Sequence, residues 1–166
     1  MKKGLVVLIT FIASLSLMIT GCGTPSCPEI GGKAPDFTAE TMDGSSISLS
    51  DFKGKRVIMN FWSTRCGPCV MEMPHLQDIH DKFSGQGLVV LSINVSDSSS
   101  TAKEFMNSQG LTFPVVMDSQ MDIFQQYCLP QAIPITIFID AEGIIKATKV
   151  GAFLSPDEIE DTLDSL

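Results

Sequence analysis

Val57-Ile58-Met59-Asn60-Phe61-Trp62-Ser63-Thr64-Arg65-Cys66-Gly67-Pro68-Cys69 is an apolar, strand-like run that ends in two cysteines separated by Gly-Pro. Beyond it Val70, Met73, Leu76, Ile79 and Phe83 recur at helical spacing, which lays an apolar stripe against a sheet. If the helix starts near Cys66, both sulfurs stand on its first turn, where side chains are neighbours and a small disulfide ring closes. The pair is therefore expected to switch between dithiol and disulfide. The unpaired N–H groups and positive dipole end of the helix stabilise a thiolate there, so Cys66 is the expected nucleophile. Pro68 suits the first turn because its missing N–H costs nothing, and Gly67 lets another chain's backbone come close.

Zinc is the competing use of Cys-x-x-Cys, but no second cysteine pair and no Cys…His-x-x-x-His arrangement follows. His75 and His80 are five residues apart, which turns them to different helix faces rather than into an i, i+4 metal pair. No metal and no separate cofactor is expected; the redox group is the Cys66–Cys69 pair itself.

Outward from this stretch, short apolar runs alternate with amphipathic ones, an α/β signature. Residues 36–40 and 46–49 flank Met42-Asp43-Gly44-Ser45, whose Asp-Gly predicts a turn and so an N-terminal β-hairpin. Residues 57–62 read as a central buried strand and 88–93 as another. Pro74 is expected to kink the first helix, and residues 85–87 to end it. Residues 101–108 read as a helix stopped by Gly110, and 122–127 as a shorter one. Strands over 135–140 and 144–150 join through Ala141-Glu142-Gly143. Ser155-Pro156-Asp157-Glu158 predicts a capping box opening a final helix, with Ile159, Leu163 and Leu166 on its apolar face.

The ends supply the compartment. Met1-Lys2-Lys3 precedes an uncharged run over residues 4–20, then Gly21-Cys22, the order of a secretory signal. Met18-Ile19-Thr20-Gly21-Cys22 resembles the bacterial lipobox, which implies cleavage before Cys22 and lipid attachment on it. The expected organisation is a signal peptide over 1–21, a flexible Gly/Pro/Ser-rich tether over 22–32 and one domain over 33–166. An uncleaved anchor and plain secretion are the alternatives, and all three place the domain outside the cytoplasm. Cys27 and Cys128 remain: a buried inert thiol at Cys128, a Cys27–Cys128 bridge, and a redox role for Cys128 all stay open. The net charge of −8 comes from scattered acidic residues, which favours solubility and argues against nucleic acid as a partner.

Several motifs together resemble the TlpA/ResA-like branch of membrane-tethered bacterial thiol-disulfide oxidoreductases, within the thioredoxin superfamily. They are Ala34-Pro35-Asp36-Phe37, Leu49-Ser50-Asp51-Phe52-Lys53-Gly54-Lys55, Asn60-Phe61-Trp62…Cys66-Gly67-Pro68-Cys69, Thr112-Phe113-Pro114-Val115 and Ile133-Pro134-Ile135-Thr136-Ile137-Phe138-Ile139-Asp140. The resemblance runs from about residue 33 to the C-terminus. It implies a thioredoxin-like fold, a central mixed sheet flanked by helices with the hairpin added. It also implies that Pro134 is a cis proline facing the dithiol, with Ile133 offering backbone to an incoming extended peptide. Arg65 and Trp62, beside the dithiol in the matched motif, join Ile133 and Pro134 as expected partner-binding residues. Glu72-Met73-Pro74 matches the branch's Glu-x-Pro, which implies proton handling by Glu72 at Cys69. Asn60 stands where thioredoxins proper carry an aspartate.

Three positions depart from the pattern. Arg65 replaces the usual tryptophan before the first cysteine, and a cation there is expected to favour the Cys66 thiolate. The spacing from Tyr127 to Pro134 is one residue long, and Ile135 stands where the family has threonine. The implied function is a lipid-anchored reductant of protein disulfides, as in cytochrome c maturation, recharged by a membrane electron donor. A disulfide-forming oxidant is the alternative favoured by Arg65. A thiol peroxidase is a poorer fit because Met59 occupies the position its motif needs for proline, and a copper-binding module lacks a third ligand.

Overall fold

The computed structural model describes residues 27–165. The segment expected to be a signal peptide, Cys22 and the first part of the expected tether lie outside the described residues, as does Leu166.

Seven strands and four α-helices follow in the order β1 (Thr38–Glu40), β2 (Ser46–Ser48), β3 (Arg56–Trp62), α1 (Gly67–Phe83), β4 (Leu88–Asn94), α2 (Ser99–Gln109), β5 (Val115–Met117), α3 (Asp122–Gln126), β6 (Ile135–Ile139), β7 (Ile145–Val150) and α4 (Pro156–Asp164). β1 and β2 form the expected hairpin, a separate two-stranded sheet. The other five strands form one mixed sheet in the order β5-β4-β3-β6-β7. β3 is central, paired parallel with β4 and antiparallel with β6. Buried on both faces, it shows why its sequence is apolar almost throughout. The pleat sends Met59 and Phe61 into one core layer with Phe124 and Tyr127. Ile58 and Trp62 go to the other layer with Met73, Leu76 and Ile79 of α1.

The elements follow their local signals. Cys66, extended at φ −94° and ψ 103°, caps α1, and the helix continues across Pro74 as one element. A 3-10 turn over Ser84–Gln86 closes it, with Gly87 at φ +78° turning the chain into β4. Ser155 accepts from the Glu158 N–H as in a capping box, but the Glu158 carboxylate takes the Leu154 N–H and Lys149 instead of completing it. β5 was not foreseen, because three residues after a proline carry too little periodicity to read.

The tether boundary is corrected by residues 27–32. Gly31 N–H donates to the Ile145 carbonyl at 2.8 Å, Ile145 N–H donates to Gly32 at 2.9 Å, and Cys27 is bonded to Cys128. These residues are part of the domain because edge strand β7 leaves backbone groups for them to pair. Of the three readings of Cys128, the bridge to Cys27 is the one observed; a buried thiol is excluded, since Cys128 is exposed.

Candidate active site

β3 ends at Trp62, and Ser63, Thr64 and Arg65 turn the chain into α1. The turn is closed by the Cys66 N–H donating to the Ser63 carbonyl at 3.1 Å and the Arg65 N–H donating to Ser63 Oγ at 3.2 Å. Cys66 and Cys69 form a disulfide, and the Cys69 N–H donates to Cys66 Sγ at 3.2 Å. That bond is the helix N-terminus acting on sulfur, the interaction that stabilises a thiolate when the pair is reduced. Cys66 is half-buried and Cys69 is fully buried, while Gly67 and Pro68 are exposed. An approaching sulfur therefore meets Cys66.

Opposite Cys66 runs the chain leading into β6. The Ile133–Pro134 bond is cis, and the Ile133 carbonyl oxygen lies 3.6 Å from Cys66 Sγ. Pro134 itself is buried, and its carbonyl accepts the Gly151 N–H at 2.9 Å. Ile135 is buried in the same core layer as Phe61, its cross-strand partner, so an apolar side chain fits that position.

One turn beyond Cys69, Glu72 is fully buried. Its Oε1 accepts from Asn60 Nδ2 at 2.8 Å and its Oε2 from the Phe153 N–H at 2.9 Å. Loss of water outweighs these two donors and pushes its pKa up to about 7. Asn60 Nδ2 also donates to Thr136 Oγ1 at 2.9 Å, so β3, β6 and α1 are joined through one amide. Asn60 Oδ1 has no partner among the described residues. Thr136 was missed as a member of this network; its visible signal is a hydroxyl in an otherwise apolar strand.

Two expected partner-binding residues are placed differently. Trp62 is buried and packs on Phe105 with ring centroids 5.2 Å apart, so it offers a partner no surface and serves the core instead. Arg65 is exposed beside Cys66, but its guanidinium turns to Asp97 at 3.9 Å and to the Ser96 carbonyl at 3.5 Å. Asp97, unread in the sequence, accepts from the Thr64 N–H at 2.7 Å, Thr64 Oγ1 at 2.9 Å and Asn94 Nδ2 at 2.8 Å. These donors outweigh its desolvation and hold its carboxyl below the usual range. The cation expected to act on Cys66 is thus shared with a carboxylate.

The AhpC/TSA family matches residues 30–148. The thiol-disulfide oxidoreductase ResA of Bacillus subtilis is 37% identical over 147 residues, covering 87% of this chain and 80% of that protein. ResA of Geobacillus kaustophilus is 35% identical over 137 residues, covering 82% and 78%.

The chain is a ResA/TlpA-like thiol-disulfide oxidoreductase of the AhpC/TSA family.

Among solved structures, the thioredoxin domain of a thiol-disulfide oxidoreductase from Bacteroides vulgatus superposes with a TM-score of 0.72 at 27% identity, covering 82% of this chain and 96% of that one. The fold of this ResA-like chain is accordingly thioredoxin-like with an added N-terminal hairpin, and its activity is exchange between thiols and protein disulfides.

Proposed function

We propose that the protein is an extracytoplasmic, lipid-anchored reductant of protein disulfides that uses Cys66 as nucleophile, Cys69 as resolving thiol and Glu72 as proton acceptor. The observation that carries this reading is the buried Glu72 carboxylate, poised near neutrality one turn beyond Cys69. The Cys66 thiolate attacks a partner disulfide held against Ile133 and Pro134, forming a mixed disulfide and releasing one partner thiolate. Cys69 passes its proton to Glu72 and attacks Cys66 Sγ, which releases the second partner thiolate. The partner leaves reduced and the Cys66–Cys69 disulfide remains, to be returned to the dithiol by a membrane electron donor.

The Gly-Pro dipeptide between the cysteines is that of reducing thioredoxins, and Arg65, the residue favouring an oxidant, has its charge shared with Asp97. Cytochrome c maturation is the pathway implied by the resemblance of the sequence motifs to the TlpA/ResA-like branch. Lipid attachment at Cys22 rests on the lipobox-like residues 18–22.

Trapping thiols with a mass-tagging alkylator across graded dithiothreitol and glutathione buffers tests the direction. A Cys66–Cys69 couple below about −250 mV supports a reductant, and one above about −200 mV supports an oxidant. The absence of any reversible couple would sink the proposed role.

A further inference from the structure

The seven-residue stretch from Cys128 to Pro134 connects the second disulfide to the first. Its last two residues are joined by the cis peptide bond, and the Ile133 carbonyl oxygen lies 3.6 Å from Cys66 Sγ. Its first residue, Cys128, is exposed and sits at φ +50°, the left-handed region that an ordinary side chain disfavours. Between these ends the stretch is sparsely held. Among the described residues, Cys128 and Leu129 donate backward to Gln125 and Phe124 at 2.9 and 3.3 Å, and Ala132 donates to Pro130 within the loop. Gln131 and Ala132 are exposed; Leu129 and Ile133 pack only partly against the core. The end of α3 is anchored separately, by Tyr127 Oη donating to the Pro35 carbonyl at 2.7 Å and Gln126 Nε2 to the Asp36 carbonyl at 3.0 Å. Beyond those backward backbone bonds, the covalent bond to Cys27 ties the loop's first residue to a distant segment, and Cys27 precedes residues already paired to β7.

We propose that the Cys27–Cys128 disulfide is a positioning clamp for the partner-docking loop, holding Ile133 and Pro134 where an incoming cysteine segment is seated on Cys66. It acts on how well the partner is held and leaves the Cys66–Cys69 chemistry alone: among the described residues, the hydrogen bonds at the helix N-terminus and at Glu72 involve neither Cys27 nor Cys128. A loop fixed before encounter has less order to lose on binding. The proposal rests on the reading of Ile133 and Pro134 as docking backbone.

The test is single-turnover oxidation of a dithiol peptide by the oxidised full-length protein in detergent micelles, followed by mass-tagging over a range of peptide concentrations. Two variants are compared with the unaltered chain: Cys27→Ser/Cys128→Ala, and Cys27→Ser/Cys128→Gly, whose glycine accepts the left-handed backbone. Both should raise the half-saturating peptide concentration about five-fold with the limiting rate within about two-fold, and leave the Cys66–Cys69 potential unchanged. An unchanged half-saturation in both overturns the clamp and leaves the bridge as a stabilising cross-link. Recovery with the glycine variant alone overturns it too, since backbone strain would then be the cause. A shifted potential or collapsed limiting rate overturns it by showing that the bridge acts on the dithiol. Absence of exchange in the unaltered chain would instead remove the functional reading on which the clamp stands.

Discussion

The molecule carries two disulfides made of the same atoms in opposed surroundings. Cys66 and Cys69 are three residues apart at the start of a 17-residue helix, with one sulfur accepting a helix N–H and a buried carboxylate one turn on. Cys27 and Cys128 are 101 residues apart, both exposed, on a strap and two residues past the end of a five-residue helix. The first pair closes a ring so small that the bond adds little to chain entropy, while its surroundings stabilise the reduced form as a thiolate. The second spans most of the domain, where a cross-link restrains the unfolded chain strongly. The difference teaches that Cys-x-x-Cys is a switch because of what surrounds it, and that sequence separation sorts a cross-link from a redox centre.

That contrast can be broken in several places. Cys66→Ser should abolish exchange with any protein disulfide while leaving Cys27–Cys128 formed, measured by alkylation and mass; exchange persisting in this variant would mean the second pair is also a redox centre. Removing the second bridge by Cys27→Ser/Cys128→Gly should lower the unfolding free energy by about 4 kcal/mol in urea melts, as expected for a loop of this length. A loss near zero would show that the backbone pairing at Gly31 and Gly32 already does the same work.

Glu72 sharpens the contrast through pH. Its folded pKa of about 7 lies above its unfolded value near 4.5, so its contribution is most favourable at low pH and is lost as pH rises through that window. Relative to Glu72→Gln, the native chain should lose about 3 kcal/mol of stability between about pH 4.5 and 7 and change little above it. A flat difference across this range would mean that Glu72 is hydrated and ordinary. In the proposed resolving step, Glu72→Gln should slow release of the partner about 30-fold above pH 7 and erase an inflection near pH 7 from the rate profile. The smallest effect is expected at Arg65: Arg65→Ala should leave the pH profile of Cys66 alkylation almost in place, because an exposed guanidinium shared with Asp97 exerts a screened field. A shift of a full unit would restore Arg65 as a determinant of potential.

Much of the site was legible because its logic is local. The cap, the helix start and the i, i+3 relation of Cys69 to Glu72 lie on one continuous stretch, where spacing alone brings side chains together. Trp62 was misread because its place in the chain adjoins the dithiol, while the pleat of β3 turns its side chain into the core under Phe105. Asp97 and Thr136 were missed because they reach the site from segments distant in the chain, the loop after β4 and strand β6, and nothing in the residues around them marks that approach.

The sequence by itself determined the dithiol, its helix, the order of the helices and of every strand but β5, and the chemistry of exchange, since these follow from short-range pattern and from residue types. Only the tertiary structure decided that Cys27 pairs with Cys128, that Arg65 is shared with Asp97, and that Asn60 links Glu72 to Thr136. Those are contacts between segments far apart in the chain, and they exist only once a common sheet has brought the segments within bonding distance.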